Sequence, residues 1–139
     1  MPLKVAIPVE TAANEKRVAI VPAVALKLAG MGLDLVVEKG AGAGAQMPDS
    51  AYGDSVTIEK DTAKLLSTAD VVVKVQPPSV EEAKQLKEGS ILISHLYGHN
   101  NPEIIKVLRD RKITAFGLEL IPRISRAQKM DALSSMANI

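Results

Sequence analysis

The chain has 139 residues, 47% of them hydrophobic and 24% charged, with a formal net charge of +1 and no cysteine. That length suits one domain with a real core, since a domain of this size buries roughly 70% of the surface its unfolded chain exposes. The charge balance gives no reason to expect nucleic acid or an anionic membrane surface as a partner, and the missing thiols exclude disulfides, thiolate catalysis and cysteine-ligated metals.

Aromatic residues make up only 2% of the chain, so the core is expected to be Val, Ile, Leu and Ala. No apolar run approaches the ~20 residues of a membrane span. The N-terminus, MPLKVAIPVE, reads as a strand and not as a signal peptide.

The run 3–9 is the first predicted strand. PAVALKLAG (22–30) predicts a helix with Pro22 in its first turn and Gly30 or Gly32 closing it. Residues 33–39 form a second strand. Residues 61–69 form a helix with Asp61 as N-cap. Residues 70–76 are a strand stopped by Pro77 and Pro78. Residues 79–86 open on a capping box, Ser79 with Glu82. Residues 90–97 are a strand. In the helix 101–111, Asn101 is the expected cap, Pro102 the first residue, and Arg109 and Arg111 face the negative end of the dipole. Residues 113–120 are the last strand. Strands alternating with helices of about ten residues give βαβ units, hence a doubly wound α/β domain with a mainly parallel sheet and helices on both faces. Ligands in such sheets sit outside the carboxyl ends of the strands. The loops 10–17, 40–48, 76–78, 97–101 and 121–126 are therefore the ones to watch.

GAGAGA (40–45) follows a strand and imitates a dinucleotide fingerprint. The fingerprint needs a helix to begin within it, so that backbone N–H groups and dipole meet the pyrophosphate. Gln46, Met47 and Pro48 follow instead, which predicts a turn. His95 and His99 straddle a strand end and Gly98, so no metal pair is expected. Arg17, in the loop after the first strand, suits either solvent or a bidentate anion contact. Lys74 and Gln76 stand near the end of an apolar strand and are expected on one face. A lysine there needs a partner if it is buried. In the closing segment, Ser125 and Gln128 fit a capping box. At 100° per residue, Gln128, Asp131, Ser135 and Asn138 share one helical arc, with Ser134 on its rim, while Met130, Leu133 and Ala137 share another.

VAIPVETAANEKRVAIVP, VVVKVQPP, LYGHNNPEI and above all PRISRAQKMDALSSMANI resemble the N-terminal part of the alpha subunit of the proton-translocating NAD(P) transhydrogenases, a domain type shared with alanine dehydrogenases. The resemblance covers essentially the whole chain. It implies a three-layer, flavodoxin- or Rossmann-like domain over 1–122. Residues 123–139 would begin the helix that leads into a separate NAD-binding Rossmann domain, so the chain reads as a fragment whose longer form continues past Ile139. It implies NAD(H) on the complete component, NADP(H) on a partner component and no metal. The implied partners are that NADP(H)-binding component and a membrane-spanning proton-channel component, with a homodimer of the complete component. The implied location is the cytoplasmic or matrix face of a membrane, held there by other chains.

By the same resemblance, Arg123, Gln128, Asp131 and Ser134 match the segment that lies against the nicotinamide and its ribose. Arg17 matches the arginine that holds the substrate carboxylate in alanine dehydrogenases; with Lys74, Gln76 and Tyr97 it outlines the remnant of a substrate pocket. Alanine dehydrogenases read Lys-Val-Lys-Glu-Pro where this chain has Lys74-Val75-Gln76-Pro77-Pro78, and histidine where it has Tyr97. A keto-acid imine would then lack its proton donor, whereas hydride passing directly between two nicotinamides needs none. The expected function is hydride transfer from NADH to NADP+ coupled to proton translocation. An alanine dehydrogenase-like enzyme and a non-catalytic assembly module are the alternatives. A receiver-like signalling domain would need an acidic pair after the first strand and a phosphorylatable Asp after the third, whereas this chain has only Glu10 at the first place and no Asp at the end of VVVKVQPP.

Overall fold

The computed structural model describes residues 3–120. Six strands, β1 (Lys4–Ile7), β2 (Asp34–Glu38), β3 (Thr57–Glu59), β4 (Val71–Val73), β5 (Ile91–Ser94) and β6 (Thr114–Gly117), form one sheet in the order β3-β2-β1-β4-β5-β6. Every pairing is parallel. The helices are α1 (Pro22–Gly30), α2 (Thr62–Thr68), α3 (Val80–Gln85) and α4 (Pro102–Asp110).

Alternation along β1 and β2 divides the core between two faces. Val5, Ile7, Leu35 and Val37 pack with Ala25 of α1 on one side. Ala6 and Val36 pack with Leu65 and Leu66 of α2, Ala83 of α3, and Ile104 and Leu108 of α4 on the other. Each fully buried leucine, such as Leu35, Leu65 or Leu92, contributes about 1.5–3 kcal/mol. Helices on both faces are thus what the strand pattern required.

Local chemistry sets the helix ends. Pro22 and Pro102 each stand in a first turn, where a missing N–H costs nothing. Asp61 accepts from the Lys64 N–H. Ser79 and Glu82 close their capping box in both directions. Helix α1 ends in a double bond pattern, Gly32 N–H to Ala29 and Leu33 N–H to Leu28, with Gly32 at φ +95° as that motif requires.

Three expectations change. Strand β3, on the exposed edge of the sheet, escaped the sequence pattern. Asn101 stands at the cap position but its side chain makes no cap bond; its Nδ2 donates to the carbonyls of Leu96 and Tyr97, which ties the side chain to the preceding loop. Strand β4 ends at Val73, so alternation no longer governs Lys74 and Gln76.

Candidate functional site

The strand order reverses between β1 and β4, and in doubly wound sheets the crevice at that reversal is where ligands lie. Two clusters built from the β1 loop and the β4 loop occupy it.

The inner cluster is a buried ion network. Lys74, only 2% exposed, sets its ammonium 3.3 Å from Glu10 and 3.9 Å from Glu82. The Glu10 carboxylate also accepts the backbone N–H groups of Val75 (2.9 Å) and Gln76 (3.0 Å). Glu82 accepts from the Ser79 N–H and the Thr11 hydroxyl. The partner that a buried lysine demands is therefore present. One carboxylate thereby ties the end of β1 to the end of β4.

The outer cluster is centred on Glu15. Its Oε2 accepts from the Arg17 backbone N–H (2.9 Å) and from Arg17 Nε (2.8 Å). Its Oε1 accepts from Arg17 Nη2 (2.7 Å) and from the Gln76 side-chain amide (2.7 Å). Arg17 makes a bidentate contact to an anion of its own chain. The Arg17 side-chain bonds, with help from Gln76 and against the upward push of burial, hold the Glu15 carboxyl down at about 2. Glu15 in turn raises Arg17 through its hydrogen bonds and its charge, against the downward push of burial.

Beside these, the β5 loop is pinned by Glu119, which accepts the N–H groups of Leu96 and Tyr97. Burial pushes the Glu119 carboxyl up, but the N–H donors of Leu96, Glu119 and Tyr97 outweigh it and hold it below its ordinary value. Tyr97 is exposed and sits at φ +46°, a strained conformation for a bulky residue that tends to mark a functional edge. Its ring stacks on His95 at 5.4 Å and 4°. His95 Nδ1 is buried without a hydrogen-bond partner among the described residues and lies 3.7 Å from Glu119. His99 stands apart in the wall of a cleft of about 550 Å³ with Tyr97, Ile105 and Glu119. Among the described residues no cluster could hold a metal ion.

The GAGAGA stretch forms a 3₁₀ turn over Ala43–Ala45 and no α-helix start; a second 3₁₀ turn, Asp49–Tyr52, follows it. A Cβ on Gly42 would meet the Met47 carbonyl oxygen at 2.5 Å, and one on Gly44 would meet that of Lys16 at 3.0 Å. Gly42 and Gly44 thus allow close packing, whereas Gly40 stands at φ +81° with open space around it. This stretch does not fit a pyrophosphate, because no helix begins within it.

The structure therefore brings Arg17 and Gln76 together through Glu15, places Lys74 in the inner cluster, and sets Tyr97 beside them on the edge. Sequence reasoning missed Glu15 as the organiser and Glu10 as the partner of Lys74. The only sign of the first was an acid two residues before an arginine in a loop. Arg123, Gln128, Asp131 and Ser134 lie outside the described residues.

A parallel sheet in this order, with its polar groups gathered at the carboxyl edge around the reversal, defines a doubly wound α/β domain with the strand order of Rossmann folds. The family described as "Alanine dehydrogenase/PNT, N-terminal domain" matches residues 6–139, and the chain belongs to it. It is 47% identical over 99% of its length to an NAD(P) transhydrogenase alpha-subunit protein of Rhodospirillum rubrum, and spans 37% of that relative. It is 34% identical over 97% of its length to an alanine dehydrogenase of Methanococcus maripaludis, and spans 36% of it. The crystal structure of transhydrogenase from Sinorhizobium meliloti superimposes with a TM-score of 0.87 at 39% identity, covering 95% of this chain and 40% of that one.

Proposed function

We propose that this chain forms the N-terminal α/β domain, residues 1–122, of the NAD(H)-binding component of an NAD(P) transhydrogenase. Residues 123–139 then lead into the NAD-binding domain of the longer protein. The observation that carries the reading is the make-up of the carboxyl edge. Gln76 is committed to Glu15 through its amide, and by the resemblance Tyr97 takes the position that is histidine in alanine dehydrogenases. An edge of this kind can orient a ring and an amide, and it lacks the lysine and histidine that the resemblance assigns to the keto-acid enzymes at these two positions. The greater identity to transhydrogenase than to alanine dehydrogenase supports the same choice.

NAD(H) supplies the hydride in this chemistry, and NADP+ on a partner component receives it. The chain's own share is placement. Arg123, Gln128, Asp131 and Ser134 are proposed to face the nicotinamide and its ribose. The pyrophosphate would rest on the second domain, since the 40–45 turn cannot take it. Among the described residues no helix is long and apolar enough to cross a membrane. The proposed setting is a peripheral one, cytoplasmic or matrix-side, with a proton-channel component as membrane partner.

Stopped-flow hydride transfer from NADH to an NADP+ analogue, in the full-length protein with its partner components, tests this. Wild type transfers. Gln128→Glu keeps a capping residue but replaces an amide donor with an acceptor. At saturating NADH and unchanged thermal stability it is expected to transfer at least tenfold more slowly, because ring placement acts on the transition state. No transfer by wild type overturns the reading. Equal rates remove Gln128 from it.

A further inference from the structure

The turn after β5 is held on its two sides by different chemistry. Its carbonyls are tied by neutral donors: the Asn101 side-chain amide gives to Leu96 (2.8 Å) and Tyr97 (3.3 Å), and the Asn100 N–H gives to Tyr97 (2.8 Å). Its N–H groups converge on the Glu119 carboxylate, at 3.0 Å from Leu96 and 2.7 Å from Tyr97. Successive N–H groups of this kind make a seat for an anion. The Glu119 side chain folds back over Gly117 to fill it, and a Cβ on Gly117 would stand 3.0 Å from Oε1. A carboxylate has about four lone-pair positions; the N–H groups of Leu96, Tyr97 and Glu119 itself use most of them, leaving room for about one more donor. His95 faces that room. Its Nδ1 is buried, has no hydrogen-bond partner among the described residues and lies 3.7 Å from Glu119 Oε1, too far for a hydrogen bond. On the β4 side His95 meets the Val75 carbonyl, and the charges next to it, Glu10 and Lys74, are closed on one another. On its own loop the Tyr97 ring lies parallel to it at 5.4 Å.

We propose that His95 and Glu119 form a proton-operated latch on the Tyr97 turn. A proton on the imidazole gives Nδ1 a donor and the ring a positive charge. A shift of about 0.8 Å then closes the gap to the ~2.9 Å of a charge-assisted hydrogen bond. The carboxylate keeps its backbone donors while it gains this one. Tyr97 holds φ +46°, a conformation that a bulky residue keeps only where its surroundings enforce it. A more firmly held Glu119 enforces it more strongly, and the ring that moves is the one stacked on Tyr97. Imidazole is the side chain whose charge ordinarily changes between about pH 5 and 8. A bond that only the protonated ring can make stabilises the closed turn below that range and is lost as pH rises through it. The latch therefore holds Tyr97 more tightly in mild acid. The inference rests on residues 95, 97, 117 and 119 and stands whether or not the longer protein transfers hydride to NADP+.

Amide hydrogen exchange at Leu96 and Tyr97 reads the latch. It is measured residue by residue in the full-length protein and corrected for the intrinsic exchange rate at each pH. In wild type the protection of these two amides is expected to rise at least about fivefold from about pH 8 to about pH 5.5. The amides of Val5 and Ala6, in the middle of the sheet, are the control and should not change. His95→Phe keeps a ring against Tyr97 without a titrating nitrogen, and its ratio between the two pH values should be close to one. Glu119→Gln keeps the side chain's size without its charge. It should lower protection at both pH values and also bring the ratio close to one. A Glu119 that were only structural would give the lower protection and leave the ratio intact. The proposal is overturned by a wild-type ratio close to one, or by a ratio that survives either substitution. If His95→Phe does not fold, His95→Gln replaces it, and if neither folds, the ratio in Glu119→Gln decides. A Glu119→Gln that does not fold also overturns the proposal, since the carboxylate would then be a condition of folding and not a latch.

Discussion

Glu10 and Glu15 lie five residues apart in one loop, and each reaches across to the loop after β4. Glu10 holds Lys74 and the backbone of Val75 and Gln76; Glu15 holds Arg17 and the side chain of Gln76. The difference lies in burial and in what is gripped. The inner acid and its lysine are each 2% exposed at the side chain, and the acid binds main chain, so it fixes where the two loops run. The outer acid sits beneath an arginine that reaches solvent, and it binds side chains only apart from one N–H, so it sets which donors the edge presents. The same residue type thus builds the scaffold at one depth and tunes the chemistry at the other.

If that division holds, the inner cluster should dominate stability. Lys74→Met leaves Glu10 and Glu82 buried without their cation, and is expected to cost about 3–5 kcal/mol. The double variant Glu10→Gln/Lys74→Met should cost less than the sum of the two single changes, by at least about 1 kcal/mol, because the partners are coupled. Urea denaturation midpoints measure both. A Lys74→Met variant within about 1 kcal/mol of wild type would erase the distinction between the clusters.

A smaller effect should mark the outer cluster, and only in acid. The native Glu15 carboxyl lies at about 2 against an ordinary 4.5. A depressed native value stabilises the fold above the unfolded value and loses that contribution as pH falls through the native one. The advantage of wild type over Glu15→Gln should therefore be full above about pH 4.5 and fade towards pH 2. Unfolding free energies taken at half-unit steps between pH 2 and 6 would show it. A gap that stays constant across this window means that Glu15 acts through packing alone.

Much of the scaffold was legible because its signals are local. Pro22, Asp61, and Ser79 with Glu82 each act within one turn, and each does what its spacing implied. Strand β3 was not legible, since three residues on an exposed edge are too few to display a period. Asn101 misled because the fold orients its side chain by its N–H groups, which donate to the Leu96 and Tyr97 carbonyls, and its oxygen caps no helix N–H. For the site, the need was readable but its partner was not. A lysine closing an apolar strand announces that it requires an acid, yet Glu10 is 64 residues away, and Gln76 is 61 from Glu15. Only the parallel pairing of β1 with β4 joins them.

The claim that this edge belongs to a transhydrogenase and not to an amino acid dehydrogenase is tested most directly by substrate choice. The full-length protein with its partner components would be given NADH and, in parallel, an NADP+ analogue or pyruvate with ammonium. Oxidation of NADH that depends on the NADP+ analogue, with none above background on pyruvate and ammonium, is the expected result. Pyruvate-dependent oxidation with alanine as product, and no transfer to the NADP+ analogue, would contradict the account.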